Sequence, residues 1–73
     1  MNNIDIIFET RLEYKKAIEI ISHQSDLFIS ETNLKLNLIS IESNENDVDE
    51  ILDEIKELFD KNNIFNYNFE YLN

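Results

Sequence analysis

The chain has no cysteine, glycine, proline or tryptophan, and only one histidine, among its 73 residues. Without cysteine it can form neither a disulfide framework nor a thiolate metal site. Glycine and proline average about 7% and 5% of a protein. Their absence removes every glycine-rich phosphate loop, and it forces any tight turn that needs positive φ to use asparagine or aspartate. No apolar run approaches the roughly twenty residues that span a bilayer. The start, Met1-Asn2-Asn3-Ile4-Asp5, lacks the basic head and apolar middle of a secretory signal. A cytoplasmic protein is expected.

Basic side chains are scarce too. Six Lys and Arg stand against sixteen Asp and Glu, a formal charge of −10. That charge disfavours direct contact with DNA, RNA or an anionic membrane, and it suits a basic protein partner. Hydrophobic residues at 42% exclude a disordered acidic tail. A chain this short is one domain, residues 1–73, whose core supplies only about 3–5 kcal/mol. With disulfides excluded, it must rely on good packing or on a partner subunit. Eleven Asn and twelve Ile beside a single Ala fit an AT-rich coding sequence, as in a low-GC bacterium or its phage.

Ile4, Ile6 and Phe8 alternate with Asp5, Ile7 and Glu9, the period-two pattern of a strand. Thr10-Arg11-Leu12-Glu13 reads as a capping box opening a helix with Tyr14, Ala17, Ile18 and Ile21 on its apolar face. That helix fades near His23-Gln24-Ser25-Asp26. Leu27 to Thr32 and Leu34 to Glu42 read as two strands turning at Asn33, which tolerates the left-handed region. Leu34, Leu36 and Leu38 share one face of the second strand. Ile39 and Ile41 then fall on the other face, so that strand is apolar on both sides or holds a bulge.

Ser43-Asn44-Glu45-Asn46 is a polar loop before a second helix, with Asn46 or Asp47 as N-cap. Val48, Ile51, Leu52, Ile55, Leu58 and Phe59 form its unbroken three-four apolar stripe. Lys61-Asn62-Asn63 closes it. Ile64 to Leu72 completes the chain as a strand with Phe65, Tyr67, Phe69 and Tyr71 on one face. The order strand-helix-strand-strand-helix-strand predicts an α+β fold, the ferredoxin-like βαββαβ two-layer sandwich. Its four-stranded antiparallel or mixed sheet would have order 4-1-3-2, with two helices on one face.

Chemistries that use such a fold leave residues that can be sought. Glu9-Thr10-Arg11 offers one Arg and no Gly, short of an acylphosphatase-like phosphate loop. The aromatic row from Phe65 to Tyr71 lacks the positive charge of a stacking platform, and reads as the core face of an edge strand. His23 has no second His or Cys with which to build a metal site or a triad; it reads as a helix C-terminal residue favoured by the dipole. Asp47, Asp49, Glu50 and Asp53 lack the mid-loop Gly of a calcium loop. Neither an enzyme nor a cofactor or metal site is expected.

What stands out is the stretch from Glu42 to Asp60, which holds nine of the sixteen acids and, as its sole base, Lys56. Seven of them (Asp47, Asp49, Glu50, Asp53, Glu54, Glu57, Asp60) occupy about fourteen residues of helix, or roughly 21 Å. That is one charge per ~3 Å, close to the ~3.4 Å per phosphate along one nucleic-acid strand. Neighbours three and four apart repel by a few tenths of a kcal/mol per pair. The plainer reading of the same face is a solvated surface that keeps a small domain dispersed.

In size, charge and lack of motifs the chain resembles small acidic inhibitor proteins: phage anti-CRISPRs and other anti-defence proteins, or immunity proteins against nuclease toxins. That resemblance implies a steric and electrostatic mechanism, nucleic-acid mimicry. Asp49, Glu50, Asp53, Glu54, Glu57 and Asp60 would bind a basic protein surface such as that of a nuclease. The alternative is a homodimer or subunit module that associates through the open sheet face, with Ile7, Ile39 and Ile41 as candidate contacts.

Overall fold

The computed structural model describes residues 2–43 and 47–72. Six elements follow in chain order: β1 (Asn2–Phe8), α1 (Arg11–Gln24), β2 (Phe28–Asn33), β3 (Leu38–Ser43), α2 (Val48–Lys61) and β4 (Tyr67–Leu72). Residues 44 to 46 of the expected polar loop lie outside the described residues. The strands form one sheet in the order β2-β3-β1-β4; counted from the β4 edge, the same arrangement reads 4-1-3-2. Every neighbouring pair is antiparallel, so the mixed sheet that the sequence left open does not form among the described residues.

The register decides which side chains meet. Ile4 lies opposite Ile41 and Ile6 opposite Ile39, and all four are fully buried with Phe8. On the helices, Tyr14, Ala17, Ile20 and Ile21 of α1 and Ile51, Leu52, Ile55 and Phe59 of α2 join them in one apolar cluster. Because these strand residues share one face of the sheet, both helices cover that face. Phe59 is the pivot: its ring lies 4.9 Å from Tyr67 and 5.7 Å from Phe8, within the range of favourable edge and tilted aromatic pairs.

Both helices are capped by their own sequence. The Glu13 N–H donates to Thr10 Oγ1 at 3.1 Å, and the Thr10 hydroxyl donates back to the Glu13 carboxylate. Asp47 caps α2, its Oδ1 accepting from the Asp49 N–H at 3.0 Å. The end of α2 is a Schellman arrangement. The Ile64 N–H donates to Phe59 O at 2.9 Å and the Asn63 N–H to Asp60 O at 3.2 Å. Asn63 takes the left-handed position with φ 60°, where a glycine is usual. The second positive φ, 52°, is at Asn37 in the β2–β3 turn. Among the described residues, asparagine thus supplies both left-handed positions, in a chain without glycine.

Four expectations need correction. The turn between β2 and β3 is not Asn33 alone but Leu34–Asn37. It is wound by Asn33 Oδ1, which accepts from the N–H groups of Lys35 and Leu36. Leu34 and Leu36 are therefore exposed turn residues and not strand residues. The bulge falls in β2, between Ile29 and Glu31, and not in the strand after it. Ile39 and Ile41 face the core, leaving half-buried Leu38 and Ile7 on the open face. Finally, β4 begins at Tyr67: Ile64 is pulled into the core by the Schellman turn, and Phe65 stands in solvent.

Phe59→Ala is expected to cost about 3–5 kcal/mol, most of the stability of a domain this size, measured by urea unfolding. Asn63→Gly should be neutral or slightly stabilising. Asn63→Val should cost about 1–2 kcal/mol or more, because a β-branched residue is strained at positive φ.

Candidate acidic interface on the second helix

At about 100° of rotation per residue, the acids of α2 fall on an arc of roughly 160° centred near Glu57. The apolar stripe from Val48 to Phe59 takes the opposite arc. Asp49, Glu50, Asp53, Glu54, Glu57 and Asp60 are all exposed, and among the described residues none of their carboxylates accepts a hydrogen bond. Asp47 differs from them because its carboxylate is engaged in capping. Lys61 lies within the acidic arc, one turn beyond Glu57, whereas Lys56 sits at its border with the apolar stripe.

The helix also borders a groove. His23, Gln24, Ser25 and Asp26 from the end of α1 face Glu54, Glu57, Leu58 and Lys61 of α2 across an open space of about 570 Å³. Its end is tied by the side-chain amides of Gln24 and Asn62, which exchange hydrogen bonds of 3.5 and 3.3 Å. The Asn62 amide also donates to Leu58 O at 2.8 Å, so one residue caps the last turn and ties it to α1. Among the described residues, no three His, Asp or Glu side chains converge as metal ligands. His23 is an exposed groove-wall residue in the last turn of α1.

A second acidic surface escaped the sequence reading. Glu31 pairs with Ser40, Ser40 with Asp5, and Asp5 with Glu70. These four residues form a single row across all four strands on the open face. Asp5 is only 7% exposed and accepts a hydrogen bond from the Ser40 hydroxyl. Glu42 lies on the same face one step along, opposite Asn3 and Phe28, and so belongs to the sheet and not to the acidic helix. Period-two alternation already put Asp5 on the face opposite Ile4 and Ile6. The row itself depends on long-range register and on the bulge before Glu31.

Comparison with known protein families, with curated proteins and with solved structures returns no match. No helix among the described residues is long and apolar enough to cross a membrane.

Tyr67 links the core to the end of α2. Burial against Phe8, Phe59 and Phe69 raises its pKa above 10, and the negative charge of Asp60 raises it further. A phenol whose pKa is higher folded than unfolded contributes stability that is intact below pH 10 and lost as pH rises through the folded value. Tyr67→Phe is therefore expected to flatten the decline of stability above pH 10 in denaturant titrations. Separately, the unpaired like charges of α2 should make added salt stabilising. The melting temperature should rise by a few degrees between about 20 mM and about 0.5 M NaCl, and Glu54→Gln should reduce that rise.

Proposed function

We propose that this chain is a small acidic inhibitor that binds protein. The outer face of α2 occupies a Lys/Arg-lined groove on a partner and excludes the nucleic acid that the groove otherwise holds. One observation carries this reading: six outward carboxylates, Asp49, Glu50, Asp53, Glu54, Glu57 and Asp60, are exposed on a helix whose apolar stripe packs on the core. A rigid helix presents them at fixed spacing, so little side-chain order is lost when guanidinium groups form charge-assisted hydrogen bonds to them. The field of a −10 chain also steers a basic partner and accelerates its association. Such a protein belongs with the anti-CRISPR, anti-defence or nuclease-immunity type, acting in the cytoplasm.

The sheet then serves as scaffold. With β3 between β1 and β2, and β1 between β3 and β4, the antiparallel arrangement supports reading the domain as a ferredoxin-like split βαβ sandwich. Association through the open sheet face has lost two of its three proposed contacts, since Ile39 and Ile41 are in the core, only Ile7 stays on that face, and a carboxylate row crosses it.

Tagged protein incubated with lysate of its native host should capture a basic nucleic-acid-binding protein that elutes at high salt. Paired Asp53→Lys and Glu54→Lys substitutions should weaken capture by about ten-fold or more while leaving helix content by circular dichroism unchanged. Capture that ignores both salt and charge reversal would exclude the α2 surface.

A further inference from the structure

Four large apolar side chains stand in solvent at one end of the sheet: Leu12 at 78% exposure, Leu34 at 53%, Leu36 at 56% and Phe65 at 61%. They come from three separate segments that the backbone binds together. The Phe8 N–H donates to Asn37 O and Arg11 Nε to Asn37 Oδ1, both at 2.9 Å. The Glu9 N–H donates to Asn66 O at 3.1 Å, and the Asn66 N–H to the Glu13 carboxylate at 3.4 Å. The first turn of α1, the β2–β3 turn and the α2–β4 connection therefore form one rim. It exposes on the order of 400 Å² of apolar side chain, a size at which a patch on a monomer is often functional.

Charge indicates what covers it. Segments 9–13, 34–37 and 62–66 carry Arg11 and Lys35 against Glu9 and Glu13, two cations less two anions, or zero. The rest of the chain therefore carries the whole −10. A basic partner is drawn to α2 or to the sheet row and not to this end. Another copy of the chain is repelled from those acidic surfaces, and finds at the rim the one apolar, nearly neutral approach among the described residues.

We infer that a second copy of this chain docks rim to rim through Leu12, Leu34, Leu36 and Phe65, as a two-fold dimer in which the same patch serves both partners. The apolar area is about half of the ~800 Å² per partner of a standard interface, so the dimer is weak and concentration-dependent. Salt strengthens it, because screening removes the residual repulsion between two acidic chains. The inhibitor interface has the opposite salt dependence, so the two proposals stand or fall separately. Such a dimer would present two α2 faces to a multivalent target, and linked sites of that kind gain apparent affinity.

Sedimentation of the full chain from about 10 μM to about 1 mM, at low salt and at about 0.5 M NaCl, tests this directly. The weight-average mass should rise from 8.7 kDa toward twice that value, further at high salt. Leu36→Glu and Phe65→Glu, each checked for native circular dichroism, should hold the protein monomeric. Phe65→Ser serves if either fails to fold. Phe28→Glu alters an exposed aromatic at the opposite end of the sheet and should leave the mass profile unchanged. A monomer throughout, a dimer that survives both rim substitutions, or a dimer lost on Phe28→Glu would each overturn the proposal.

Discussion

Everything in this domain depends on burying one stripe of α2. Ile51, Leu52, Ile55 and Phe59 share a core with Ile4, Ile6, Phe8, Ile39 and Ile41, and no disulfide supports it. Each fully buried aliphatic or aromatic side chain contributes about 1.5–3 kcal/mol relative to exposure, against a backbone cost of about 1–2 kcal/mol per ordered residue. A chain of 73 residues has little surplus. The stripe cannot be loosened to serve a ligand, so α2 can act on another molecule only through its other face.

That face gives α2 two opposed demands. Its carboxylates repel one another along the helix, which the N-terminal acids partly offset by lying near the positive end of the helix dipole. At the other end, the Schellman turn and the Asn62 amide satisfy the last carbonyls without glycine. The helix is thus held by its caps and its core contacts while its outer charges stay uncompensated. The sheet repeats the theme, with Glu31, Asp5 and Glu70 aligned across four strands. Acidic surface on two sides leaves the rim as the place where charges of both signs balance and large apolar side chains are exposed.

The features legible in the sequence were those encoded locally. The α2 stripe, the Thr10 cap and the need for asparagine at positive φ each rest on residues a few positions apart, and the structure contains all three. The hairpin was harder. Leu34, Leu36 and Leu38 have the alternation of a strand, yet Asn33 and Asn37 wind the first two into a turn, and the single-residue bulge near Ser30 resets the phase of β2. Because side chains alternate with period two, a one-residue error in phase exchanges the two faces of a strand. Taking Leu34, Leu36 and Leu38 as one strand's inner face therefore puts Ile39 and Ile41 on the open one. Phe65 departs from the expected strand for a related reason: the left-handed Asn63 sends Ile64 inward and leaves Phe65 out of the aromatic row, which starts at Tyr67 in β4. The acidic helix face was legible from spacing alone. The carboxylate row on the sheet was not, since it exists only once four strands are in register.

Carboxylate labelling with a carbodiimide and an amine, read by mass spectrometry with and without the captured partner, tests most directly whether α2 is the binding surface. If the helix docks, Asp49, Glu50, Asp53, Glu54, Glu57 and Asp60 lose reactivity in the complex while Glu31 and Glu70 on the sheet keep theirs. Protection of the sheet carboxylates with undiminished labelling of the helix would contradict it.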